Sequence, residues 1–214
     1  MKTSFKTIII TLAVLVVLGI AALVYALSQR GQQPSESSAD TVASTSHVID
    51  DAGPEAVTLV EFLDFECEAC GAFHPIVEDL RETYDGEITY VVRYFPLPGH
   101  KNSMQSALAA EAAAQQGRFE DMYNRLFETQ AQWGEQPQET PEVFRALAEE
   151  LGLDMAQYDA AIADPATRAR IEQDRTEGAA LGVQSTPSFF LDGELLELTA
   201  WGDLEAAVEK AVNG

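Results

Sequence analysis

The chain has 214 residues, 46% of them hydrophobic, which suffices for one full core or two small ones. It carries 13 Lys and Arg against 35 Asp and Glu, a formal net charge of −22. With no basic cluster beyond the extreme N-terminus, nucleic acid is excluded as a partner, because a phosphate backbone needs a basic surface. The acidity serves solubility or, on a sharper reading, suits concentrated electrolyte.

The first segment is a targeting signal. Residues 8–27, "IIITLAVLVVLGIAALVYAL", hold no charged side chain. As a helix rising about 1.5 Å per residue they span about 30 Å, the thickness of a bilayer core. Lys2 and Lys6 precede the run and Arg30 follows it, so the N-terminus is expected in the cytoplasm and the remainder outside. Residues 1–30 read as one N-terminal transmembrane helix acting as an anchor. A cleaved signal peptide is the competing reading, with Val24-Tyr25-Ala26 as the small-residue site. Either way the working domain faces an oxidising compartment, the periplasm or the cell exterior.

Residues 31–54 are rich in Ser, Gln, Asp and Pro and lack apolar periodicity, apart from a possible short strand near Val48-Ile49. They read as a flexible linker. The domain is then expected over 55–214. "AVTLVEFLDF" is a short apolar run, the signature of a buried strand. A helix follows from about Cys67 to Tyr84, with Phe73, Ile76, Val77 and Leu80 on one face. "EITYVVRYF" predicts a second strand, stopped by "PLPG".

The middle of the chain is helical. "NSMQSALAAEAAAQQG" is Ala-rich with Gly117 as its stop. "RFEDMYNRLFETQAQ" puts Phe119, Met122, Tyr123, Leu126 and Phe127 on one face. Thr140-Pro141 starts a third helix and Gly152 stops it. Asp154 with Gln157 reads as a capping box, and Pro165 opens a helix to about Leu181. "PSFFLDGELLEL" then predicts two strands joined by Asp192-Gly193, a hairpin signal, and a last amphipathic helix carries Leu204, Ala207, Val208 and Ala211. The β-α-β start implies a parallel strand pair with a crossover helix.

Both cysteines of the chain, Cys67 and Cys70, stand three residues apart in "EFLDFECEACGAFHP", at the strand-to-helix junction. Two buried apolar residues would be the bland explanation. A metal site of Cys67, Cys70 and His74, with His47 or His100 as a fourth ligand, is a second, copper handling outside the membrane being its sensible form. Redox exchange is the third and the best supported. A Cys-x-x-Cys opening a helix puts the first sulfur among free backbone N–H groups that stabilise a thiolate. The second sulfur, one turn in, can attack a mixed disulfide formed on the first.

At these residues the sequence resembles the DsbA-like branch of the thioredoxin superfamily, thiol–disulfide oxidoreductases of the periplasm or cell envelope. The resemblance covers about residues 55–212 and rests on "EFLDFECEACGAFHP", "YFPLPGH", "GRFEDMYNRLFETQ" and "GVQSTPSFFLDG", in that order. It implies an α/β thioredoxin-like fold with an inserted helical domain at about 99–164; the family's short N-terminal strand would come from around residues 45–50. It makes Cys67 the nucleophile, Cys70 the resolving thiol and Glu61 a buried proton relay, and it makes Thr186-Pro187 a cis-proline loop whose backbone meets substrate. Pro187 joins the catalytic set, and Phe65, Thr186 and Pro187 would contact substrate. No metal and no organic cofactor is implied, because the Cys67–Cys70 dithiol/disulfide is itself the redox group. The implied partners are exported cysteine-containing proteins and an electron-transfer partner in the membrane. In strongly oxidising members a histidine lies between the cysteines; here Glu68-Ala69 stand there, flanked by Glu66 and Asp64. Negative charge disfavours a thiolate, so a Cys67 pKa higher than in those members and a moderate redox potential are expected. His74 reads as an ordinary helix residue.

Overall fold

The computed structural model describes residues 41–214. The apolar run at 8–27 and residues 31–40 of the expected linker lie outside the described residues. Among the described residues no helix is long and apolar enough to cross a membrane.

Five strands form one sheet in the order β1-β3-β2-β4-β5. They are β1 (His47–Asp50), β2 (Val57–Leu63), β3 (Ile88–Tyr94), β4 (Ser188–Leu191) and β5 (Glu194–Leu195). β2 and β3 run parallel, with Glu61 opposite Val92, and α1 (Glu68–Thr83) makes the crossover between them. The outer pairings, β1 on β3, β4 on β2 and β5 on β4, are antiparallel. Asp192 and Gly193 turn the β4–β5 hairpin, both with positive φ, as a tight two-residue loop requires.

Between β3 and β4 come α2 (Ser103–Ala114), α3 (Phe119–Trp133), α4 (Pro141–Glu150), α5 (Met155–Ala163) and α6 (Pro165–Ala180); α7 (Asp203–Asn213) closes the chain. The first four are the expected insertion, packed around the Ala-rich α2. Its alanines at 107, 109, 110, 112 and 113 are all buried and let neighbouring helices approach closely. The central strands are apolar on both sides because both faces are covered. On one face Leu59, Leu63, Tyr90 and Val92 join Val77 and Leu80 of α1, Leu204 and Val208 of α7, and the inserted helices. On the other, Val60, Phe62 and Val91 cluster with Phe95, Val183 and Phe190.

Two expectations need correction. The packed domain begins before residue 55: β1 pairs with β3, and Thr41 is buried with its carbonyl accepting from Arg93 Nη1 at 3.2 Å. Residues 41–54 are therefore no free tether. Asp154 does cap α5, accepting from Ala156 N and Gln157 N. The reciprocal half of the box is absent: Gln157 Nε2 meets the Asp154 side chain, and the Asp154 N–H goes to Gln116 Oε1 instead.

Gly178 lets α6 lie on the sheet. A Cβ there would stand 2.7 Å from Phe62 Cε1 and 3.1 Å from Phe95 Cδ2, two rings held in the core. Gly178→Ala should gain about 1 kcal/mol of helix propensity but lose about 1–3 kcal/mol to overpacking. We expect a net loss of stability in urea unfolding; a gain would mean that the rings can yield.

Candidate functional site

Cys67 is the N-cap of α1, in extended backbone (φ −66°, ψ 120°), and Cys70 lies in the helix's first turn. The turn before the helix is held from three sides. Cys67 N donates to Asp64 O at 3.0 Å, and Gly71 N to Cys67 O at 3.1 Å. Gln130 Nε2, on α3, donates to Phe65 O at 2.7 Å and Cys67 O at 2.8 Å. Gly71 makes room for that clamp, since a Cβ there would fall 2.2 Å from Gln130 Oε1.

The two thiols are not equivalent. Cys67 keeps 8% exposure and Cys70 none. The hydrogen bond from the Cys70 side chain is the largest influence holding Cys67 down at about 5; burial opposes it, and the Thr186 side chain and the N–H groups of Cys70 and Ala69 add to it. Cys70 goes the other way: burial first, then its bond to Cys67 and the charge of Glu61, push its thiol well above the ordinary range. In the thiol form Cys67 Sγ donates to Thr186 O at 3.4 Å. The Thr186-Pro187 bond is cis, as expected, and Thr186 is buried with its hydroxyl otherwise unpartnered.

Glu61 is 2% exposed. Burial raises its carboxyl to about 8; Tyr90 Oη, donating at 2.5 Å, holds it back, while the charges of Glu78 and Cys67 raise it further. Tyr90 in turn lies 3.3 Å from Tyr123 Oη. The buried acid expected from sequence is therefore present and in electrostatic contact with both sulfurs.

The flanking acids do not act as expected. Asp64 and Glu66 are 2% and 1% exposed and are spent on the backbone. Asp64 accepts from Glu66 N at 2.9 Å and Leu97 N at 3.0 Å, and lies 2.7 Å from His100 Nδ1. Glu66 accepts from Asn102 N and Glu135 N. Neither prevents a stabilised Cys67 thiolate, which is held well below the ordinary thiol range. Phe65 is corrected too: its ring is 1% exposed among Tyr94, Tyr123 and Phe127, and is not presented to a substrate. His74 sits against Tyr123 and Phe127 with Nε2 3.1 Å from Asn124 Oδ1, not with the thiols. Among the described residues no group of three His, Cys, Asp or Glu is placed to hold a metal ion.

Sequence reasoning missed Gln130 and Tyr90, and the backbone-bonding role of Asp64. Only Tyr90 left a signal, because strand alternation puts it on the Glu61 side of the parallel pair. Beside Pro187 opens a groove of about 540 Å³, lined by Phe73, Phe189, Leu195, Leu198 and Trp201 among others. Leu195 and Trp201 are exposed there, at 43% and 60%.

A family model described as thioredoxin matches residues 50–210. A thioredoxin-like oxidoreductase from Silicibacter pomeroyi is 29% identical with a TM-score of 0.66, covering 82% of this chain and 98% of its own. The alpha-DsbA1 of Wolbachia pipientis shares the fold at 19% identity and a TM-score of 0.68, over 80% of this chain and 93% of its own. Among curated sequences, a Na(+)/H(+) antiporter NhaA from Herminiimonas arsenicoxydans is 37% identical over 146 residues, 67% of this chain but 22% of the antiporter. The chain thus spans about a fifth of the length of the curated relatives it matches. The family match runs from β1 into α7 and takes in the cysteine turn, Glu61 and the proline loop, so the chain belongs to the thioredoxin family.

Proposed function

We propose that this chain is an extracytoplasmic protein disulfide oxidoreductase, exchanging disulfides with cysteine-bearing exported proteins through Cys67 and Cys70. The observation that carries the reading is the opposed displacement of the two thiols, one held down and partly open, the other pushed up and sealed. The Cys67 thiolate attacks one sulfur of a substrate disulfide; a Cys67–substrate bond forms and the other substrate sulfur leaves as a thiolate. Cys70 then loses its proton to the Glu61 carboxylate and attacks Cys67 Sγ, expelling the second substrate thiolate. The chain ends as the Cys67–Cys70 disulfide and the substrate gains two electrons. Run backwards, the same steps oxidise a substrate dithiol. Thr186, with Pro187 behind it, supplies the backbone against which an extended segment would lie.

The uncharged run at 8–27, with Lys2 and Lys6 before it, supports an anchored domain outside the membrane, with an electron-transfer partner in that membrane restoring the redox state. The antiport in the curated relatives' names is not carried over, since only a fifth of those proteins is matched. The copper reading is not adopted, because His74 is engaged with Asn124.

Alkylation tests the reading. Iodoacetamide should modify Cys67 with a rate whose pH midpoint lies near 5, and should leave Cys70 untouched in the folded protein. In glutathione buffers the potential should lie above thioredoxin's about −270 mV, toward DsbA's about −120 mV, because the reduced form is the one stabilised. A midpoint near 9, or no reversible two-electron transition, would remove the basis for the proposal.

A further inference from the structure

Among the described residues of this acidic molecule most of the Lys and Arg side chains are spoken for. Arg81, Arg93, Arg118, Arg125, Arg145, Arg170 and Arg175 each pair with at least one carboxylate. Lys101, Arg168 and Lys210 have no such partner among the described residues, and the first two line one cleft of about 350 Å³. Arg175 and His100 line it as well, as do Glu139 and Glu172. Those acids are engaged: Glu172 accepts from Arg175 Nε at 3.0 Å and Glu139 from Gln105 Nε2 at 3.0 Å.

A second observation points the same way. α2 begins in this wall, at Ser103 and Met104, with no side-chain cap and no acid in its first turn. Asn102, the residue placed to cap it, turns instead to Trp133 O and to Thr140 N. The Asn102 N–H already meets the buried Glu66 carboxylate, so what is left for another acceptor is the first-turn N–H groups of Ser103 and Met104.

The cleft is also wired to the cysteines. His100 and Leu97 N, both in its wall, meet the Asp64 carboxylate whose backbone oxygen receives Cys67 N. Burial draws His100 down, but its bond to Asp64 and the charges of Asp64, Glu66 and Cys67 prevail and raise it.

We propose that this cleft binds an anionic group, and that its occupant is a side-chain carboxylate of the substrate segment engaged at Cys67. The assignment of substrate rests on the oxidoreductase reading; the anion site does not. A surface of net charge −22 repels acidic segments, and a cationic cleft beside the nucleophile offsets that repulsion for a segment whose acid is correctly placed.

The test uses the full chain, wild type and Lys101→Gln/Arg168→Gln, with two disulfide-bearing peptides that differ only in Glu or Gln residues flanking the cysteine. The acidic-to-neutral rate ratio should fall about fivefold in the variant at low salt, with the neutral peptide unchanged, and the wild-type ratio should fall as salt screens the site. Inorganic phosphate should shift the His100 imidazole resonances of the wild type and not of the variant. An unchanged ratio with no phosphate response overturns the proposal. A phosphate response with an unchanged ratio keeps the site and overturns the substrate carboxylate in favour of a free anion. Turnover of neither peptide would sink the oxidoreductase reading, and the His100 response would then decide the anion site alone.

Discussion

Glu61→Gln should make the folded dithiol form more stable at pH 7 by about 2–3 kcal/mol and should slow resolution of the mixed disulfide by about 10²-fold. The stability sign follows from a folded pKa of about 8 against an ordinary 4.5. The native state holds a proton that the unfolded chain releases, so this stabilisation is complete below pH 4.5 and is lost as pH rises through about 8. Across that window wild type weakens by up to about 1.4 kcal/mol per pH unit relative to a side chain that does not titrate. Gln keeps an acceptor for Tyr90 Oη but brings an amide N–H₂ that needs partners, which trims the gain. The rate effect has the opposite sign: Gln cannot take the Cys70 proton. Urea unfolding at pH 5 and pH 8, with quenched-flow detection of the mixed disulfide, reads both. A stability difference that ignores pH would show that the carboxyl is not raised, and unimpaired resolution would show that it is not the relay.

Asp174→Ala should cost about 3–5 kcal/mol, close to the whole margin of many domains. Arg93 and Asp174 are both fully buried. Asp174 Oδ1 accepts from Arg93 Nε and Nη2 at 2.9 and 2.8 Å, and its Oδ2 accepts from Tyr94 N at 3.1 Å with Arg170 Nη1 2.6 Å away. Removing the carboxylate leaves a guanidinium in the interior with Glu177, the Thr41 carbonyl and the face of Phe62, 4.9 Å away. The desolvation already incurred by Arg93 then goes uncompensated. Replacing both partners, Arg93→Met with Asp174→Leu, should recover the part of the loss due to the unpaired Arg93, while Tyr94 N and Arg170 still lose their acceptor. Thermal and urea unfolding of the single and double variants measures this. A single-variant loss below about 1 kcal/mol would mean that water or Glu177 replaces Asp174 readily.

The strands, the helix order and the redox pair were legible because they rest on local signals. Apolar runs, Gly and Pro stops and a three-residue cysteine spacing are visible within a short window, and Thr186-Pro187 and Glu61 followed from the resemblance. What could not be read were contacts between distant segments. A carboxylate buried against backbone N–H groups looks in sequence like one in water, so Asp64 and Glu66 read there as repulsive neighbours of Cys67. Their acceptor roles depend on Leu97, His100, Asn102 and Glu135, which the fold alone brings near. Phe65 erred for the same reason: next to the active turn in sequence, it points into the core. β1 was nearly invisible because three half-buried residues and an exposed Val48 carry almost no pattern.

The sheet is bounded by β1, four residues long with a register break between Val48 and Asp50, and by β5, two residues long. Each margin offers another chain only a short ladder of free N–H and C=O groups. A protein proposed to handle unfolded chains meets many segments ready to add as strands, and this one gives them little to template on. Client and catalyst are therefore expected to part cleanly after exchange, with co-aggregation disfavoured even when unfolded clients are abundant.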